Sequence, residues 1–282
     1  LGLLDTIPDG FTPGSDVANL SVLGYDPREC YTGRGAIEAA NMGVSLGPSD
    51  VAFRCNLVTL SDDASPVMED FTAGHISTKE AGWIIRDLGE ALSDGQGDFF
   101  AGVSYRHLYV RRNGNEAMRT TPPHDIVGQP IDRYVPAGKG AGAILEIADR
   151  ARGILRDHPV NRERRRQSRR PANAIWPWGQ GRAPKIEKMT AKYRISGGMI
   201  SAVDLLNGMG IYAGLEVFRV PKATGYIDTD YEAKARTALE ILDGLDFVFL
   251  HVEAPDEMGH EGNLTGKIRA IEDFDARIVG PV

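Results

Sequence analysis

The sequence is short of cysteine, of long apolar runs and of excess positive charge, and each shortage excludes a class of protein. Its 282 residues contain only two cysteines, Cys30 and Cys55, too few for a disulfide scaffold, so a cytoplasmic location is expected. No segment approaches the roughly 20 consecutive apolar residues of a membrane-spanning helix, so no membrane partner is expected. The net charge of −7 argues against a general nucleic-acid-binding protein.

The last third of the chain alternates between helical and β-rich patterns. The predicted elements are a helix over 199–209, a strand over 215–220, a helix over 231–242 behind a capping box of Thr229 and Glu232, a strand over 247–252 and a helix over 264–278. Strands that alternate with helices predict an α/β fold with a mostly parallel sheet covered by helices on both faces.

The middle of the chain has a different order of elements. Strands are predicted over 51–60 and 99–111, and helices over 77–92, behind a capping box of Ser77 and Glu80, and over 141–157. Residues 46–171 are therefore predicted to form a smaller, inserted α+β domain, and residues 1–45 with 172–282 to form the core. The opening run 1–4 is predicted to belong to an apolar strand of that core.

A basic run over 162–170 borders the predicted insert. Clustered arginines can mark a nucleic-acid surface. The acidic chain as a whole favours the alternative, a solvated helix end and linker at a domain border.

A carboxylate and a histidine follow the last predicted strand. The apolar run 247–252 is typical of a buried parallel strand, and Asp256 and His260 come just after it. Open α/β folds place their chemistry at the carboxyl ends of strands, and Asp and His are ligands of divalent metals. The segment is therefore predicted to be a metal-binding loop. The alternative is a capping Asp and a surface His in a polar loop.

A glycine and a serine, Gly14 and Ser15, stand at the start of a predicted helix. Free backbone amides and the helix dipole at such a position favour phosphate, and a metal or a base could activate the hydroxyl. The alternative is that Ser15 is an ordinary N-cap.

Six further residues carry groups that could bind or transfer a phosphate. Arginine makes bidentate contacts with phosphate or carboxylate. The lysine among them, Lys222, follows a predicted strand. Each could instead be an ordinary loop or surface residue. They are His75, Arg34, Arg54, Arg106, Arg182 and Lys222.

Five separated motifs resemble the archaeal-type cofactor-independent phosphoglycerate mutases, which belong to the alkaline phosphatase superfamily. The resemblance covers nearly the whole chain, in the family's order. The motifs are 14–27 (GSDVANLSVLGYDP), 31–35 (YTGRG), 52–59 (AFRCNLVT), 73–77 (AGHIS) and 252–262 (VEAPDEMGHEG).

The resemblance implies a fold and a reaction. The core would be alkaline-phosphatase-like and the insert would cap the substrate, a small phosphorylated three-carbon acid. The reaction would interconvert 3-phosphoglycerate and 2-phosphoglycerate through a phosphoserine, without bisphosphoglycerate. Two divalent metals are implied, usually manganese and sometimes magnesium, cobalt or zinc. The protein could form a homo-oligomer.

The resemblance also implies a role for each candidate residue. Ser15 would be the nucleophile and a metal ligand, with Asp256 and His260 as two ligands of one metal. Lys222 would lie near the phosphoserine, and His75 would face the substrate. The arginines at 106 and 182, and less directly those at 54 and 34, would bind the substrate.

Some ligands of the family's two-metal site have no counterpart in this sequence. They are an Asp ahead of the position of Leu1, and an Asp-His pair and a further His after the position of Val282. The chain is therefore expected to be incomplete at both ends. Two alternatives stay open: a different metal-dependent phosphohydrolase or phosphomutase of the superfamily, and an inactive truncated paralogue.

Overall fold

The chain divides into two units, and a computed structural model describes their residues 3–11 and 13–282. The split unit consists of Leu1–Tyr31 together with Lys185–Val282, and the continuous unit is Thr32–Pro184. Each unit has its own sheet. The predicted strand at 1–4 falls partly outside the described residues, and Leu3 and Leu4 have no regular secondary structure.

The helices are α1 (Ser15–Val22), α2 (Pro27–Cys30), α3 (Arg34–Asn41), α4 (Thr78–Leu92), α5 (Ala141–Arg156), α6 (Pro159–Arg166), α7 (Met189–Lys192), α8 (Asp204–Ala213), α9 (Tyr231–Leu242), α10 (Ala254–His260) and α11 (Leu264–Phe274). Short 3-10 helices span Pro123–Ile126 and Ile131–Arg133, and a π-helix spans Asp275–Val279. The strands are β1 (Val51–Leu60), β2 (Met68–Asp70), β3 (Gly97–Phe100), β4 (Arg106–Arg111), β5 (Met118–Arg119), β6 (Ala137–Gly138), β7 (Ala174–Gly181), β8 (Gly197–Ile200), β9 (Glu216–Phe218) and β10 (Phe247–Leu250).

The continuous unit is built around the long, fully buried strand β1. Strands β4 and β7 both pair antiparallel with β1, and β3 pairs with β4. Strand β2 pairs with the last residues of β1. Side chains alternate along a strand, so Phe53, Cys55 and Leu57 point to one face. These three belong to the main apolar core, to which α4 and α5 contribute the buried Ile84 and Ile144.

The other face of β1 carries two smaller apolar clusters with polar residues between them. Ala52 packs with residues of α3 and β4 at one end, and Val58 packs with the tryptophans of β7 at the other. Arg54 and Asn56 lie on this same face, between the two clusters, by the alternation of the strand. This face therefore holds buried polar groups where an apolar core would be expected.

The boundaries of the continuous unit differ from the predicted boundaries 46 and 171. Helix α3 packs on β1 and β7, and β7 pairs with β1 over residues 174–181. Both elements were predicted to belong to the core, but their long-range partners place them in this unit. The unit spans more than half of the chain, so it is not the smaller part of this chain.

The split unit contains a parallel three-stranded sheet in the order β10-β8-β9. A Cβ on Gly198 would lie 3.0 Å from Ile241 of α9, whereas Gly210 of α8 lies against Met199. Since Gly198 and Met199 point to opposite faces, α9 and α8 cover opposite faces of the sheet. The prediction of a parallel sheet between helices is confirmed for this unit.

The predicted elements that depend on local signals are confirmed. Strand β1 has the predicted bounds, α4 begins with the predicted capping box at Ser77 and Glu80, and α9 spans the predicted residues. The N-cap of α9, however, is Asp230, whose carboxylate accepts from the amide of Ala233, so the predicted box at Thr229 is wrong. The chain has a mixed α/β fold.

Two predicted elements are wrong, and a third is present but less buried than predicted. Residues 99–111 form two antiparallel strands joined by a turn, because β3 folds back on β4. Residues 199–209 begin as strand β8 and become helical only at Asp204. Strand β10 is half-buried, not buried. Among the residues 3–11 and 13–282, no helix is long and apolar enough to cross a membrane.

Candidate active site

Three of the predicted arginines lie together on the polar stretch of the continuous unit. Arg54 in β1 stands opposite Leu108 of β4, and Arg106 at the start of β4 stands opposite Asn56. Residues directly opposite each other share a face of the sheet, so Arg54 and Arg106 project to the same side. Arg34 begins α3, which packs on the same strand.

One carboxylate pairs with two of these guanidinium groups. Glu38 lies 3.1 Å from Nη1 of Arg54 and 3.4 Å from Nε of Arg34. The pKa of Arg54 is lowered, mainly by burial and also by Arg34 and Arg106, while Glu38 opposes the shift. The group thus has more positive than negative charge, which suits a bound anion.

The Nε atoms of Arg34 and Arg54 are buried and make no hydrogen bond among the described residues, although Nε of Arg34 has the ion pair of 3.4 Å with Glu38. A buried donor without an acceptor is costly, and such groups are uncommon outside functional sites. These two donors therefore support the view that the arginine group is completed by an anion.

Aromatic and amide side chains surround the arginine group. The indole of Trp178 lies under Arg54, donates from its Nε1 to Oδ1 of Asn56 at 3.0 Å, and packs against the ring of His124. Burial lowers the pKa of His124, and so do Arg34 and Arg54, against an opposing effect of Asp125. His124 is therefore a neutral imidazole at neutral pH.

His75 lies in a turn that starts beside this group. The carbonyl of Phe71, just before the turn, accepts a hydrogen bond of 3.3 Å from Asn56. His75 itself is exposed and has a φ of 47°. The turn of His75 thus begins next to Asn56 on the polar face of β1.

Arg182, the fourth predicted arginine, is bound by different groups. Its guanidinium lies 2.7 Å from Glu116 and donates to the carbonyl of Gly114 at 2.8 Å. Its own carbonyl accepts from the hydroxyl of Thr32. Its predicted role in substrate binding stays a prediction.

Ser15 is the first residue of α1 in the split unit. Gly14 is the N-cap and has extended backbone, and its carbonyl accepts from the amide of Ala18 at 3.0 Å. Ser15 is exposed, and its carbonyl accepts from the side chain of Asn19. The predicted helix start is confirmed, with the hydroxyl one position inside the helix and beside its free amides.

Asp256 and His260 lie on one face of α10, so the prediction of a loop here is wrong. Their side chains are exposed, and Nε2 of His260 lies 3.2 Å from Oδ2 of Asp256. A carboxylate and an imidazole one helical turn apart are suitable donors for a divalent metal. Among the described residues, however, no group of three or more His, Cys, Asp or Glu side chains could hold a metal ion. The pair thus offers two donors and, among the described residues, no third donor of these types joins them.

A buried polar cluster lies where β8 and β10 end. His251, directly after β10, has its Nε2 3.2 Å from the carboxylate of Glu253 and its Nδ1 3.4 Å from the hydroxyl of Ser201. The fully buried Lys234 of α9 donates to the carbonyl of His251 at 3.3 Å.

Burial governs the charge of this cluster. It lowers the pKa of His251 to about 4, with a further lowering by Lys234 and an opposing effect of Asp256. It lowers the pKa of Lys234 to about 8, against an opposing effect of Glu253. His251 is thus neutral at neutral pH, and its contact with Glu253 is a hydrogen bond to a carboxylate.

Lys222 lies in the turn after β9 and has a φ of 60°. Its carbonyl accepts from the amide of Asp230 at 3.3 Å, just before α9. Its side chain is exposed. A lysine in the left-handed region is strained.

Several residues of these groups were not among the predicted candidates. Glu38, Asn56 and Trp178 complete the arginine group, and the only local signal for any of them was the alternation that puts Asn56 on the face of Arg54. His124, which follows Pro122 and Pro123, had no local signal in the sequence. Their contacts depend on chain segments that are distant in sequence.

A family model and two curated proteins match the chain. The model, described as 2,3-bisphosphoglycerate-independent phosphoglycerate mutase, matches residues 1–161. A Geobacter sulfurreducens protein is 53% identical over 100% of the chain and 71% of its own length. A 2,3-bisphosphoglycerate-independent phosphoglycerate mutase of Methanosarcina mazei is 52% identical over 100% of the chain and 70% of its own length.

Two solved structures resemble the chain. One, of a Pyrococcus horikoshii protein, has a TM-score of 0.78 at 29% identity, and the match covers 98% of this chain and 66% of that one. The other is the cofactor-independent phosphoglycerate mutase of Thermoplasma acidophilum, with a TM-score of 0.57 at 28% identity over 94% of this chain and 71% of that one.

Proposed function

The chain belongs to the family of 2,3-bisphosphoglycerate-independent phosphoglycerate mutases, and we propose that it interconverts 3-phosphoglycerate and 2-phosphoglycerate in glycolysis and gluconeogenesis, through a phosphoserine at Ser15. The reaction needs no bisphosphoglycerate. The parallel strands of the split unit, with helices on both faces, support an alkaline-phosphatase-like arrangement for that unit.

The observation that carries the proposal is the arginine group of the continuous unit. Arg34 and Arg54 pair with one carboxylate, Glu38, and Arg106 lies on the same face of the sheet, so the group keeps an excess of positive charge for a ligand. Phosphoglycerate carries a carboxylate and a phosphate, and arginine binds both in bidentate fashion. The two buried Nε donors give such an anion further positions to fill.

The split unit supplies the groups for phosphoryl transfer. Ser15 has its hydroxyl beside the free amides of α1, which favour a phosphate through the helix dipole. Lys222 would neutralise charge on the transferred group.

Asp256 and His260 would hold one of two divalent metals, manganese, magnesium, cobalt or zinc. Such a metal would stabilise the developing charge and favour ionisation of a hydroxyl. The carboxylate of Asp256 and the imidazole of His260 are the contribution of this chain's described residues to that site.

The decisive experiment supplies the protein with 3-phosphoglycerate and Mn²⁺ in the absence of bisphosphoglycerate. We expect 2-phosphoglycerate to appear in ³¹P NMR spectra, and Ser15→Ala to abolish it. Ser21→Ala, on the same helix, is the matched control and should stay active. If neither the unaltered protein nor Ser21→Ala isomerises the substrate, the proposal is contradicted. Release of inorganic phosphate in place of 2-phosphoglycerate points to a phosphohydrolase of the same superfamily.

A further inference from the structure

Three successive residues of the AGHIS motif adopt the left-handed backbone conformation. Ala73, Gly74 and His75 have φ of 49°, 63° and 47°. Only glycine adopts this region without a steric cost, so two of the three residues are strained. Strained backbone persists where the surrounding structure holds it in place, and such segments cluster at functional sites.

Asp70 holds this turn from one side. Its Oδ1 accepts from the amide and the hydroxyl of Thr72, at 2.7 and 2.6 Å, and its Oδ2 accepts from the amide of Gly74 at 3.0 Å. The hydroxyl oxygen of Thr72 in turn accepts from the amide of His75 at 3.0 Å. The amides of Thr72, Gly74 and His75 are thus bound to Asp70 directly or through one hydroxyl.

Arg164 holds the turn from the other side. It is almost completely buried, and its Nη2 donates to the carbonyls of Ala73 at 2.5 Å and Gly74 at 3.5 Å. Its Nε donates to the carbonyl of Arg170, and its Nη1 lies 3.0 Å from the carboxylate of Glu80. Every nitrogen of this guanidinium therefore has an acceptor, and two of those acceptors belong to the turn.

Glu80 connects the same guanidinium to the segment that follows His75. Its carboxylate is half of the capping box with Ser77, which is the N-cap of α4. Arg164 consequently contacts the residues on both sides of His75, the turn before it and the helix start after it. The basic run 162–170 is thus not wholly a solvated helix end and linker, because Arg164 within it is buried and braces this turn.

We propose that Arg164 is a positioning residue, which together with Asp70 fixes the backbone of His75 so that its imidazole is presented to the substrate. The inference rests on the proposed function, because it takes His75 as a group that faces phosphoglycerate. Arg164 itself is buried and acts through the turn. A serine or an apolar residue at this position lacks the donors for the four acceptors that Arg164 binds, and a lysine has only three, all on one nitrogen.

A double-mutant cycle on the protein tests this positioning role. Arg164→Met, His75→Ala and the double variant are compared by kcat/KM with 3-phosphoglycerate and Mn²⁺. A displaced catalytic group can cost about 100-fold, so we expect Arg164→Met to lower kcat/KM by about that factor when His75 is present and to cost less than twofold more in the His75→Ala background. An equal loss in both backgrounds overturns the proposal, because a purely structural effect does not depend on His75.

Two further variants keep the test decisive. Arg166→Met, on the same helix and in an exposed pair with Glu163, is the matched control and should leave kcat/KM unchanged. Arg164 is buried, so its loss can impair folding. In that event Asp70→Asn, which weakens the other side of the same turn, takes its place in the cycle with the same expected outcomes.

Amide hydrogen exchange tests the inference without an activity. The amides of Gly74 and His75 are bound in the turn, so we expect Arg164→Met to raise their exchange rates at least tenfold while amides in α5 keep theirs. Unchanged protection of Gly74 and His75 overturns the positioning role, whether or not the protein is a mutase. Absence of isomerisation with increased exchange contradicts the proposed function alone.

Discussion

The guanidinium carbon of Arg54 lies 4.8 Å from the centroid of the Trp178 ring, and the two residues stand opposite each other on β1 and β7. Burial of this charge is costly, and the cation–π contact and the pairing with Glu38 offset only part of the cost. A bound anion would complete the compensation, so the pair indicates a site that is assembled for a ligand.

Removal of the buried guanidinium should weaken substrate binding. A hydrogen bond to a charged group contributes about 1.5–3 kcal/mol, so we expect Arg54→Met to raise the KM for 3-phosphoglycerate roughly 10- to 100-fold. Steady-state kinetics measure this. Arg86→Met, in an exposed pair with Asp87, is the control and should leave KM unchanged. An unchanged KM in Arg54→Met means that Arg54 does not contact the substrate.

Replacement of Lys222 by glycine should move stability and activity in opposite directions. Glycine relieves the strain at a φ of 60°, so we expect the free energy of unfolding to rise by about 0.5–1 kcal/mol. Loss of the ammonium group should lower kcat about 100-fold. Denaturant unfolding and kinetics measure the two effects.

Arg194→Gly is the matched control for this variant. Arg194 is also exposed, belongs to the same unit and has a φ of 59°. It should gain stability by a similar amount and keep its activity. A Lys222→Gly protein that gains stability and stays fully active would remove Lys222 from the catalytic groups.

The acid sensitivity of the fold should depend on His107. Burial lowers the pKa of this fully enclosed imidazole to about 3, from about 6.5 in the unfolded chain. Below pH 6.5 the unfolded state therefore binds a proton that the folded state does not. The free energy of unfolding consequently decreases as the pH is lowered from about 6.5 to about 3.

The variant His107→Asn tests this titration. The Nδ1 of His107 accepts from the amide of Gly102 at 3.0 Å, and an asparagine carbonyl can replace that acceptor without titrating. We expect the slope of the free energy of unfolding between pH 6 and pH 4 to decrease by up to about 1.4 kcal/mol per pH unit. Some slope should remain, because His251 titrates in the same direction. An unchanged slope contradicts a neutral, buried His107.

Elements with strong local signals could be predicted from the sequence. Strand β1 is a run of apolar and β-branched residues bounded by polar turns, and α4 begins with a capping box, so both were predicted with correct bounds. The apolar run 247–252 predicted a parallel strand, which the structure has over 247–250. Helix α10 was missed because its seven residues include a proline and a glycine, which favour a loop locally, while packing of Ala254 and Met258 makes it helical.

The arginine group depends on long-range register, which local patterns do not contain. Arg54 meets Trp178 because β7 pairs with β1 across more than 120 residues of chain, and Arg34 joins them because α3 packs on the same sheet. The resemblance to a family predicted these arginines individually. Arg164 was not predicted at all, because a basic run suggests solvation, and only the folded chain shows which one of its arginines is enclosed.

Removal of the carboxylate of Asp256 should weaken metal binding and so lower the activity at limiting metal. Asp256 and His260 form one exposed pair on α10, and a divalent metal needs a negatively charged oxygen as well as the imidazole. We therefore expect Asp256→Asn to weaken Mn²⁺ binding at least tenfold, as measured by calorimetric titration of the metal-free protein, and to lower kcat in proportion at limiting Mn²⁺. Glu240→Gln, an exposed carboxylate of α9 in the same unit, should leave both quantities unchanged. Equal Mn²⁺ affinities for Asp256→Asn and the unaltered protein would place the metal elsewhere, and Ser15 would then need a different activating group.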